Sequence, residues 1–377
     1  MNKFSEYLLF TTFVFFLHSP IKGLAEENIL YVGTGGKAAQ GIYQTSFNQK
    51  LGKFSDLSLA AEVDSPGFLT VHPLKNILYA VARWKEGAGV VGYKINEDGT
   101  LNEFTRQSCP DGMGCHLAVH SSGNFLVTAQ YGGGSVALFS LSQLGKLTEP
   151  TLFKHKGGSK IFGNRQNAPH PHWCGYSPCQ KYLLVPDLGL DKIVIYLVDD
   201  KQQSVSHHGY ADARAGGGPR HMRFSKDGKF IYLLNELNLT IETFSWDSEK
   251  GEATSIHWAP TLTEAEKAEE SFNSAAEILV HKTGNWVYSS NRGHDSVSVF
   301  STRKDGSLEI LEKQPIRGAF PRNINFSPDG NWLITAGQHS NTISAHLIDR
   351  QNGKLTFQKG ALTNVPNPTC LLFLKNR

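Results

Sequence analysis

The sequence lacks an excess of charge of either sign. It contains 37 basic and 34 acidic residues, which gives a formal net charge of +3. Proteins that hold nucleic acid or an anionic membrane surface by electrostatic attraction carry a marked basic excess. The balance therefore argues against both classes of partner.

Long hydrophobic runs are missing beyond the first 25 residues, so no later segment is predicted to cross a membrane as a helix. Near the start, Lys3 precedes an apolar run at residues 7–17, and Gly23-Leu24-Ala25 places small residues on either side of Leu24. We expect residues 1–25 to be a cleaved signal peptide, residues 26–377 to form one domain, and the mature protein to be exported, either periplasmic or secreted. The alternative is an uncleaved anchor or leader.

Cysteine is scarce, with five residues in the chain. Export permits disulfides, and the sequence offers two local pairs, Cys109 with Cys115 and Cys174 with Cys179. Each pair is either a bridge or two reduced packing residues, and Cys370 is the odd thiol. None of the five has the Cys-x-x-Cys spacing of a metal site.

Glycine and proline are abundant, at 37 and 16 residues, as expected of many short strands joined by turns. Six segments share one pattern: an apolar strand, a turn and a second apolar strand. Their first turn residues are His72, His120, Ser177, Ser225, His281 and Ser327. The successive spacings, 46 to 57 residues, are slightly longer than one four-stranded blade of the WD40 or kelch class.

The two ends of the chain supply a seventh blade. Residues 28–34 and 41–47 match a second and a third strand, and residues 368–374 look like the missing first strand. The sequence therefore predicts an all-β fold, a seven-bladed β-propeller with one blade closed by the N- and C-terminal strands. Such closure leaves no open sheet edge. A β-sandwich is the alternative, but it does not explain six aligned hairpins.

Ionisable residues recur at one end of the predicted hairpins. Because the first two strands of a blade are antiparallel, the start of the first lies beside the end of the second, and both positions converge on one mouth of the central channel. The ionisable side chains at these positions are Arg83, His116, His172, Asp187, Arg220, His221, Glu236, Glu277, Arg292 and Arg322. Opposed charges at a concave mouth are costly unless they are used. The pattern predicts a pocket for an anionic or strongly polar ligand, with a solvated rim as the alternative.

Motifs for cofactors and covalent catalysis are absent. The chain has no Gly-x-Ser-x-Gly nucleophile elbow, no P-loop and no dinucleotide fingerprint in a βαβ context. His170-Pro-His172 and Asp187 are residue types that bind metals, but the arginines expected nearby would repel a cation. We therefore expect a site that needs neither a metal nor a cofactor.

Seven short motifs follow one another through the mature chain. They are His170-Pro-His172, Val185-Pro-Asp-Leu-Gly189, Gly218-Pro-Arg-His221, Leu234-Asn-Glu-Leu237, Ala275-Ala-Glu-Ile278, Ser290-Asn-Arg-Gly-His-Asp295 and Phe320-Pro-Arg322. In these stretches the chain resembles the propeller-type lactonase family, which includes bacterial 6-phosphogluconolactonase and the fungal carboxymuconate lactonising enzymes. The resemblance covers essentially the whole mature chain.

The resemblance implies an active site at the propeller mouth. Its catalytic residues correspond to His172, Arg220, Glu236 and Arg292. The expected substrate contacts are His170, Asp187, His221, Glu277, Arg322 and Arg83. The implied activity is metal-independent hydrolysis of an anionic sugar lactone, a carboxylic-ester hydrolase reaction of carbohydrate metabolism, with no nucleic-acid partner.

Lactone hydrolysis needs a stabilised oxyanion and an activated water. Arginines would supply the first, a contribution of about 3–4 kcal/mol per donor. Glu236 or His172 would take the proton from water, and the sequence does not choose between them. Two other functions stay open: cyclisation of an unsaturated dicarboxylate, and a non-catalytic exported propeller that binds a polar ligand or a protein.

Overall fold

Antiparallel strands make up nearly all of the regular secondary structure in the computed structural model, which describes residues 27–374. The strands form seven sheets, six with four strands and one with five. The predicted signal peptide and its cleavage site lie outside the described residues. Within residues 27–374, no helix has the length and apolar character needed to cross a membrane.

The strands follow one another blade by blade, and each blade begins with its innermost strand except the first. Blade 1 contains β1 (Glu27–Thr34), β2 (Gly41–Asn48), β3 (Lys53–Phe54) and β4 (Ser58–Glu62); blade 2 contains β5 (Asp64–Val71), β6 (Ile77–Trp84), β7 (Gly87–Ile95) and β8 (Leu101–Ser108); blade 3 contains β9 (His116–Val119), β10 (Phe125–Gln130), β11 (Ser135–Ser140) and β12 (Thr151–Lys154); blade 4 contains β13 (Gly175–Tyr176), β14 (Tyr182–Asp187), β15 (Lys192–Asp199) and β16 (Ser204–Asp212). Blade 5 contains β17 (Pro219–Phe224), β18 (Phe230–Asn235), β19 (Thr240–Asp247) and β20 (Glu252–Pro260); blade 6 contains β21 (Ser274–Val280), β22 (Trp286–Arg292), β23 (Ser296–Thr302) and β24 (Leu308–Pro315); blade 7 contains β25 (Pro321–Phe326), β26 (Trp332–Gly337), β27 (Thr342–Ile348) and β28 (Leu355–Asn364); the last strand is β29 (Pro368–Phe373).

The last strand closes the ring by joining blade 1. β29 pairs antiparallel with β1, with Leu30 opposite Phe373 and Val32 opposite Leu371. It also contacts β25 and β5, the innermost strands of the neighbouring blades. The predicted fold is therefore confirmed: a seven-bladed β-propeller in which one blade combines strands from both ends of the chain.

Neighbouring blades are joined by a recurring hydrogen bond from a buried tyrosine. The tyrosine lies on the second strand of one blade, and its hydroxyl donates to a glycine carbonyl in the outer hairpin of the next blade. The pairs are Tyr31 with Gly99 at 2.6 Å, Tyr79 with Gly145 at 2.6 Å, and Tyr288 with Gly353 at 2.7 Å. A buried tyrosine hydroxyl needs such a partner, so the repeat satisfies the hydroxyl and fixes adjacent blades together.

Within the described residues, the helical structure consists of one short helix, α1 (Glu264–Ala268), and one turn of 3-10 helix, Gly163–Arg165. Helix α1 is solvent-exposed and begins with a capping box, in which Thr263 and Glu266 bond each other's backbone N–H.

All five cysteines are free thiols in the structure. Of the two alternatives for the pairs Cys109 with Cys115 and Cys174 with Cys179, the unbridged one is observed. Cys109, Cys174 and Cys370 are buried in the core between blades. Cys115 is placed elsewhere, at the channel mouth.

Candidate active site

Two of the predicted site arginines lie in β-bulges at the start of an innermost strand. In β17 the register shifts between Pro219 and His221, so Arg220 is the extra residue. In β25 the register shifts between Pro321 and Asn323, which leaves Arg322 in the same position. A bulge changes the direction of the side chain that it carries. In blades 5 and 7 that side chain is an arginine at the channel mouth.

An aspartate from the preceding blade holds each of these bulges in place. Asp191 accepts hydrogen bonds from the backbone N–H groups of Gly216 and Gly218, at 2.7 and 2.9 Å, just before Arg220. Asp295 accepts one from the N–H of Phe320, at 2.7 Å, two residues before Arg322. The repeated contact connects the backbone of one blade to the arginine of the next.

The mouth contains a cavity of about 490 Å³. Five of the ten predicted site residues line it: Arg83, His172, Arg220, His221 and Arg322. Other lining residues include Lys37, Phe68, Cys115, Asn323 and Gln338. Half of the predicted site residues, from different blades, therefore meet at the cavity.

A layer of aromatic rings lies beneath this cavity, and two of its members, Phe68 and His221, line it. The rings of Phe68 and His116 lie 4.2 Å apart between centroids, and those of His116 and Trp173 lie 5.3 Å apart. His221 continues the layer, 5.5 Å from His116. A second cavity of about 370 Å³ lies against the same layer and is also lined by His116, Trp173 and Glu277. The rings therefore separate two parts of the central channel.

Glu236 lies at the centre of an arginine cluster behind the cavity. Its Oε2 accepts a hydrogen bond from Nε of Arg220 at 2.7 Å and lies 3.2 Å from Nη2 of Arg292. Burial acts to raise the pKa of the Glu236 carboxyl, but Arg292 and Arg220 hold that pKa well below its usual range. Glu236 is therefore an ionised anchor for guanidiniums, and a carboxylate stabilised to this degree is a weak base.

Arg165 is a third partner of Glu236 that the sequence analysis missed. Its Nη2 donates to Oε1 of Glu236 at 2.7 Å and to the hydroxyl of Tyr131 at 3.1 Å. Arg165 lies on the connection between β12 and β13, which has no strand pattern and no repeat position. The sequence around it contains no signal that could have placed it beside Glu236.

Arg322 differs from Arg165, Arg220 and Arg292 because it has no ion pair with an acidic side chain. It lines the cavity and makes no hydrogen bond or ion pair with any of residues 27–374. Burial, together with the charge of Arg220, lowers the pKa of Arg322. Four guanidiniums, those of Arg165, Arg220, Arg292 and Arg322, thus lie around the carboxylate of Glu236. The cavity lining adds two cations, Lys37 and Arg83, and one carboxylate, Asp64. This arrangement favours an anionic ligand.

His172 and Cys115 lie side by side on the wall of the cavity. Nδ1 of His172 is 3.8 Å from Sγ of Cys115. Burial, together with Arg220 and His221, lowers the pKa of His172 well below its usual range. Burial raises the pKa of Cys115 to about 12 even though Arg220 and Arg322 oppose that shift. The imidazole is therefore neutral and the thiol protonated near neutral pH.

His170 and Asp187 lie outside the cavity lining. Oδ1 of Asp187 accepts a hydrogen bond from the backbone N–H of His170 at 2.7 Å, and Oδ2 lies 2.6 Å from Nδ1 of His155. The ring of His170 stacks on Tyr131, with centroids 4.5 Å apart. In the structure both residues position the backbone that carries His172, and their direct contact with a substrate stays a prediction.

Glu277 lies below the cavity and holds His221. Its Oε1 is 3.0 Å from Nδ1 of His221 and accepts a hydrogen bond from Nη2 of Arg223 at 2.9 Å. Its Oε2 accepts one from Nδ2 of Asn323 at 2.7 Å. Both oxygens are therefore engaged, and Glu277 acts on the cavity through His221 and Asn323.

The comparisons with known proteins agree with the seven-bladed fold. Residues 29–373 match the family described as Lactonase, 7-bladed beta-propeller. The 6-phosphogluconolactonase of Bacillus subtilis is 30% identical over 348 residues, which are 91% of this chain and 97% of that protein. A Formosa agariphila protein named 6-phosphogluconolactonase is 30% identical over 338 residues, 86% of this chain and 94% of that protein.

Solved structures share the whole architecture. A protein from Lactobacillus plantarum superposes with a TM-score of 0.86 at 26% identity, covering 93% of this chain and 100% of the other. The periplasmic gluconolactonase of Pseudomonas aeruginosa gives a TM-score of 0.85 at 24% identity, covering 93% and 99%; at that identity the likeness shows the fold. The matched residues span all seven blades and the site between them, and the chain belongs to the seven-bladed β-propeller lactonase family.

Proposed function

We propose that the protein hydrolyses the lactone of a sugar acid that carries a second, anionic group, as 6-phosphogluconolactone does. The observation that carries this proposal is the unpaired guanidinium of Arg322 in a cavity already rich in arginine. Arg322 is partly buried, and a cation withdrawn from water without an ion-pair partner is unfavourable by itself, so the site is suited to a ligand that brings the negative charge. Membership of the lactonase family supplies the reaction class.

The cations of the cavity fall into two groups, which suggests how such a substrate lies. Arg220 and His172 come from blades 5 and 4, on the side where the buried imidazoles meet. Arg322, Arg83 and Lys37 come from blades 7, 2 and 1, on the other side. We assign the lactone carbonyl to the first side and the anionic tail to the second.

Arg220 is the residue best placed to stabilise the oxyanion. It is held by Glu236 through Nε and by the carbonyl of Ala276 through Nη1, while the side chain lines the cavity. A guanidinium fixed before the reaction begins stabilises developing charge without reorganisation. Glu236 and Arg292 lie behind Arg220 and keep its guanidinium in place for the oxyanion. His172 forms a hydrogen bond with the substrate, as donor or as acceptor.

The proposed hydrolysis uses no metal. The carboxylates closest to the reaction side, Glu236 and Glu277, are already engaged by arginine and histidine side chains. Within residues 27–374, no three histidine, cysteine, aspartate or glutamate side chains are grouped to bind a metal ion. The excess of guanidinium charge further disfavours a bound cation.

The first prediction concerns substrate choice. We expect 6-phosphogluconolactone to be hydrolysed with a higher kcat/KM than δ-gluconolactone, because Arg322 is available for the phosphate. Arg322→Ala should lower kcat/KM for the phosphorylated lactone by about 10- to 100-fold, the equivalent of a charged hydrogen bond, and should affect δ-gluconolactone much less. Initial rates of lactone loss with and without a chelator measure these values and the metal requirement together.

Asp227→Asn provides the control, because Asp227 lies in a turn on the opposite face, where it bonds Ser225. We expect this variant to keep the activity of the unaltered protein. If the protein cyclises a muconate and hydrolyses no lactone, its function is the lactonising reaction and the proposed hydrolysis is wrong. If the protein turns over neither lactones nor a muconate but binds a sugar acid measurably, it is a binding protein and not an enzyme of either kind. Activity lost to the chelator and restored by a divalent metal would overturn the metal-independent mechanism.

We also propose that the protein acts outside the cytoplasm, on the basis of the charged residue, apolar run and small residues within residues 1–25. The expected result is a mature chain that begins near Glu26. Intact-mass measurement of the protein recovered from the periplasm or medium tests this. Soluble cytoplasmic protein that retains Met1 would contradict it.

A further inference from the structure

His221 is arranged as a general base although the motifs had indicated only a substrate contact. Nδ1 of His221 lies 3.0 Å from Oε1 of Glu277, and the ring lines the cavity. Nε2 makes no hydrogen bond with any of residues 27–374. We propose that His221 takes the proton from the attacking water during lactone hydrolysis, with Glu277 as its positioning residue. This inference rests on the proposed function.

The position of the imidazole proton follows from the partner at Nδ1. The Oε1 atom of Glu277 already accepts hydrogen bonds from Arg223 and from the backbone N–H of Ile278, and an ionised carboxylate has no proton to donate. The His221 proton therefore lies on Nδ1, and Nε2 presents its lone pair to the cavity. This is the arrangement in which a carboxylate orients a histidine base in hydrolases.

The two candidates from the sequence lack this arrangement. Both oxygens of Glu236 accept hydrogen bonds from arginine side chains, which stabilise the ionised carboxylate and make it a weak base. Within the described residues His172 has no carboxylate bonded to its ring, and the hydrogen-bond contact of its Nδ1 is with the Cys115 sulfur at 3.8 Å. Nothing in the described residues fixes the proton of His172 on one nitrogen.

The charges around His221 keep it in the neutral form that a base requires. The groups that face it are Arg220, Arg223, Arg322, Glu236, Glu277, His116 and His172. Burial, followed by Arg220 and Arg223, lowers the pKa of His221 well below its usual range. A base with a lowered pKa loses activity only when the pH falls below that value. The acid limb of kcat/KM is therefore expected below about pH 6.5, the ordinary histidine value.

The reaction balances with these residues alone. The water oxygen forms a bond to the lactone carbonyl carbon while Nε2 of His221 takes one water proton, and the carbonyl electron pair moves to the oxygen beside Arg220. When the tetrahedral intermediate collapses, the bond from carbon to the ring oxygen breaks. The ring oxygen takes the proton from Nε2 and becomes a hydroxyl group. The product is the open-chain sugar acid, and His221 returns to its neutral state.

Substitutions at the two residues test the proposal. His221→Gln is expected to lower kcat by about 10² to 10⁴-fold and to remove the acid limb. Glu277→Gln is expected to lower kcat by about 10²-fold or more, because an amide can donate to Nδ1 and move the imidazole proton to Nε2. Glu277→Asp keeps an acceptor and should recover part of this loss. His116→Gln removes a ring of the same layer that does not line the main cavity and should retain the acid limb.

The measurements are kcat and kcat/KM for 6-phosphogluconolactone over a pH series, with thermal unfolding of each variant. The histidine nitrogen shifts of the unaltered protein, with His221 assigned by its absence in His221→Gln, give a readout that does not depend on activity. We expect the Nδ1-protonated form. The Nε2-protonated form, or a folded His221→Gln with unchanged kcat and acid limb, overturns the inference. An unaltered protein that hydrolyses no lactone overturns the proposed function itself.

Discussion

Deleting residues 367–377 is expected to abolish cooperative folding of the propeller. The deletion removes β29, whose buried residues Leu371 and Phe373 pack between blades 1 and 7 against Phe47 and Trp332. It also leaves β1 and the innermost strands of two blades without their neighbour, and such unpaired strand edges promote aggregation. Thermal unfolding followed by circular dichroism, with size-exclusion chromatography, should show aggregates or no sharp transition.

A matched pair of variants makes this result specific to the strand. A chain that ends at Leu374 retains all of β29 and should unfold like the unaltered protein. Leu371→Asp keeps the full length but places a charge in a side-chain position that is 2% exposed, and it should lower the unfolding temperature strongly. A deletion variant that stays monomeric and melts like the full chain would contradict closure by the last strand.

The propeller could be predicted from the sequence because its signal is repeated. Each blade contributes a hairpin with the same turn position, so six weak local patterns support one another, and the incomplete seventh pattern at the start pointed to the strand at the end. The finer structure of blade 1 could not be predicted. There the outer edge is divided into β3 and β4, which both pair with β2, and its two short strands have no counterpart in the repeat.

The candidate site could be predicted only in part, since repeat position shows where a residue lies along a strand but not which way its side chain points. Arg220 and Arg322 enter the cavity from bulges that break the regular register. Glu236 and Arg292, which the resemblance gives as catalytic residues, do not line the cavity and lie behind Arg220, so their direct contact with a substrate stays a prediction. Arg165, which pairs with Glu236, lies in an irregular connection, where sequence spacing carries no positional information.

The structure also changes what each charge at the mouth is expected to do. The sequence leaves Glu236 and His172 as candidates for the base, because both residue types serve that role. Three guanidiniums engage Glu236, whereas a single carboxylate engages the ring of His221. The charged groups around each side chain thus make Glu236 an anchor and leave His221 as a base. These contacts join residues of blades 4, 5 and 6 that are far apart in the sequence.

Replacing Arg220 by alanine is expected to lower kcat/KM for 6-phosphogluconolactone by about 10²- to 10³-fold, through loss of the donor to the oxyanion. The variant should also be less stable, because Arg220 is 2% exposed and pairs with Glu236. Loss of one partner from a buried ion pair costs about 3–5 kcal/mol. Here the cost should fall below that range, since Arg165 and Arg292 still neutralise Glu236.

Two comparisons separate the loss of the guanidinium from damage to the fold. Arg214→Ala removes an exposed guanidinium in the same part of the ring, where Arg214 lies 4.4 Å from the Trp258 ring centroid, and it should leave the rate unchanged. Added guanidinium ion should restore part of the activity of Arg220→Ala, because the vacated position opens on the cavity, and it should not restore His221→Gln. A folded Arg220→Ala protein with the full rate would show that the oxyanion is stabilised by another group, and Arg322 would then be the residue to replace. We expect a reduced rate, because within residues 27–374 Arg220 is the one cavity-lining arginine whose side chain is held by two partners before substrate binds.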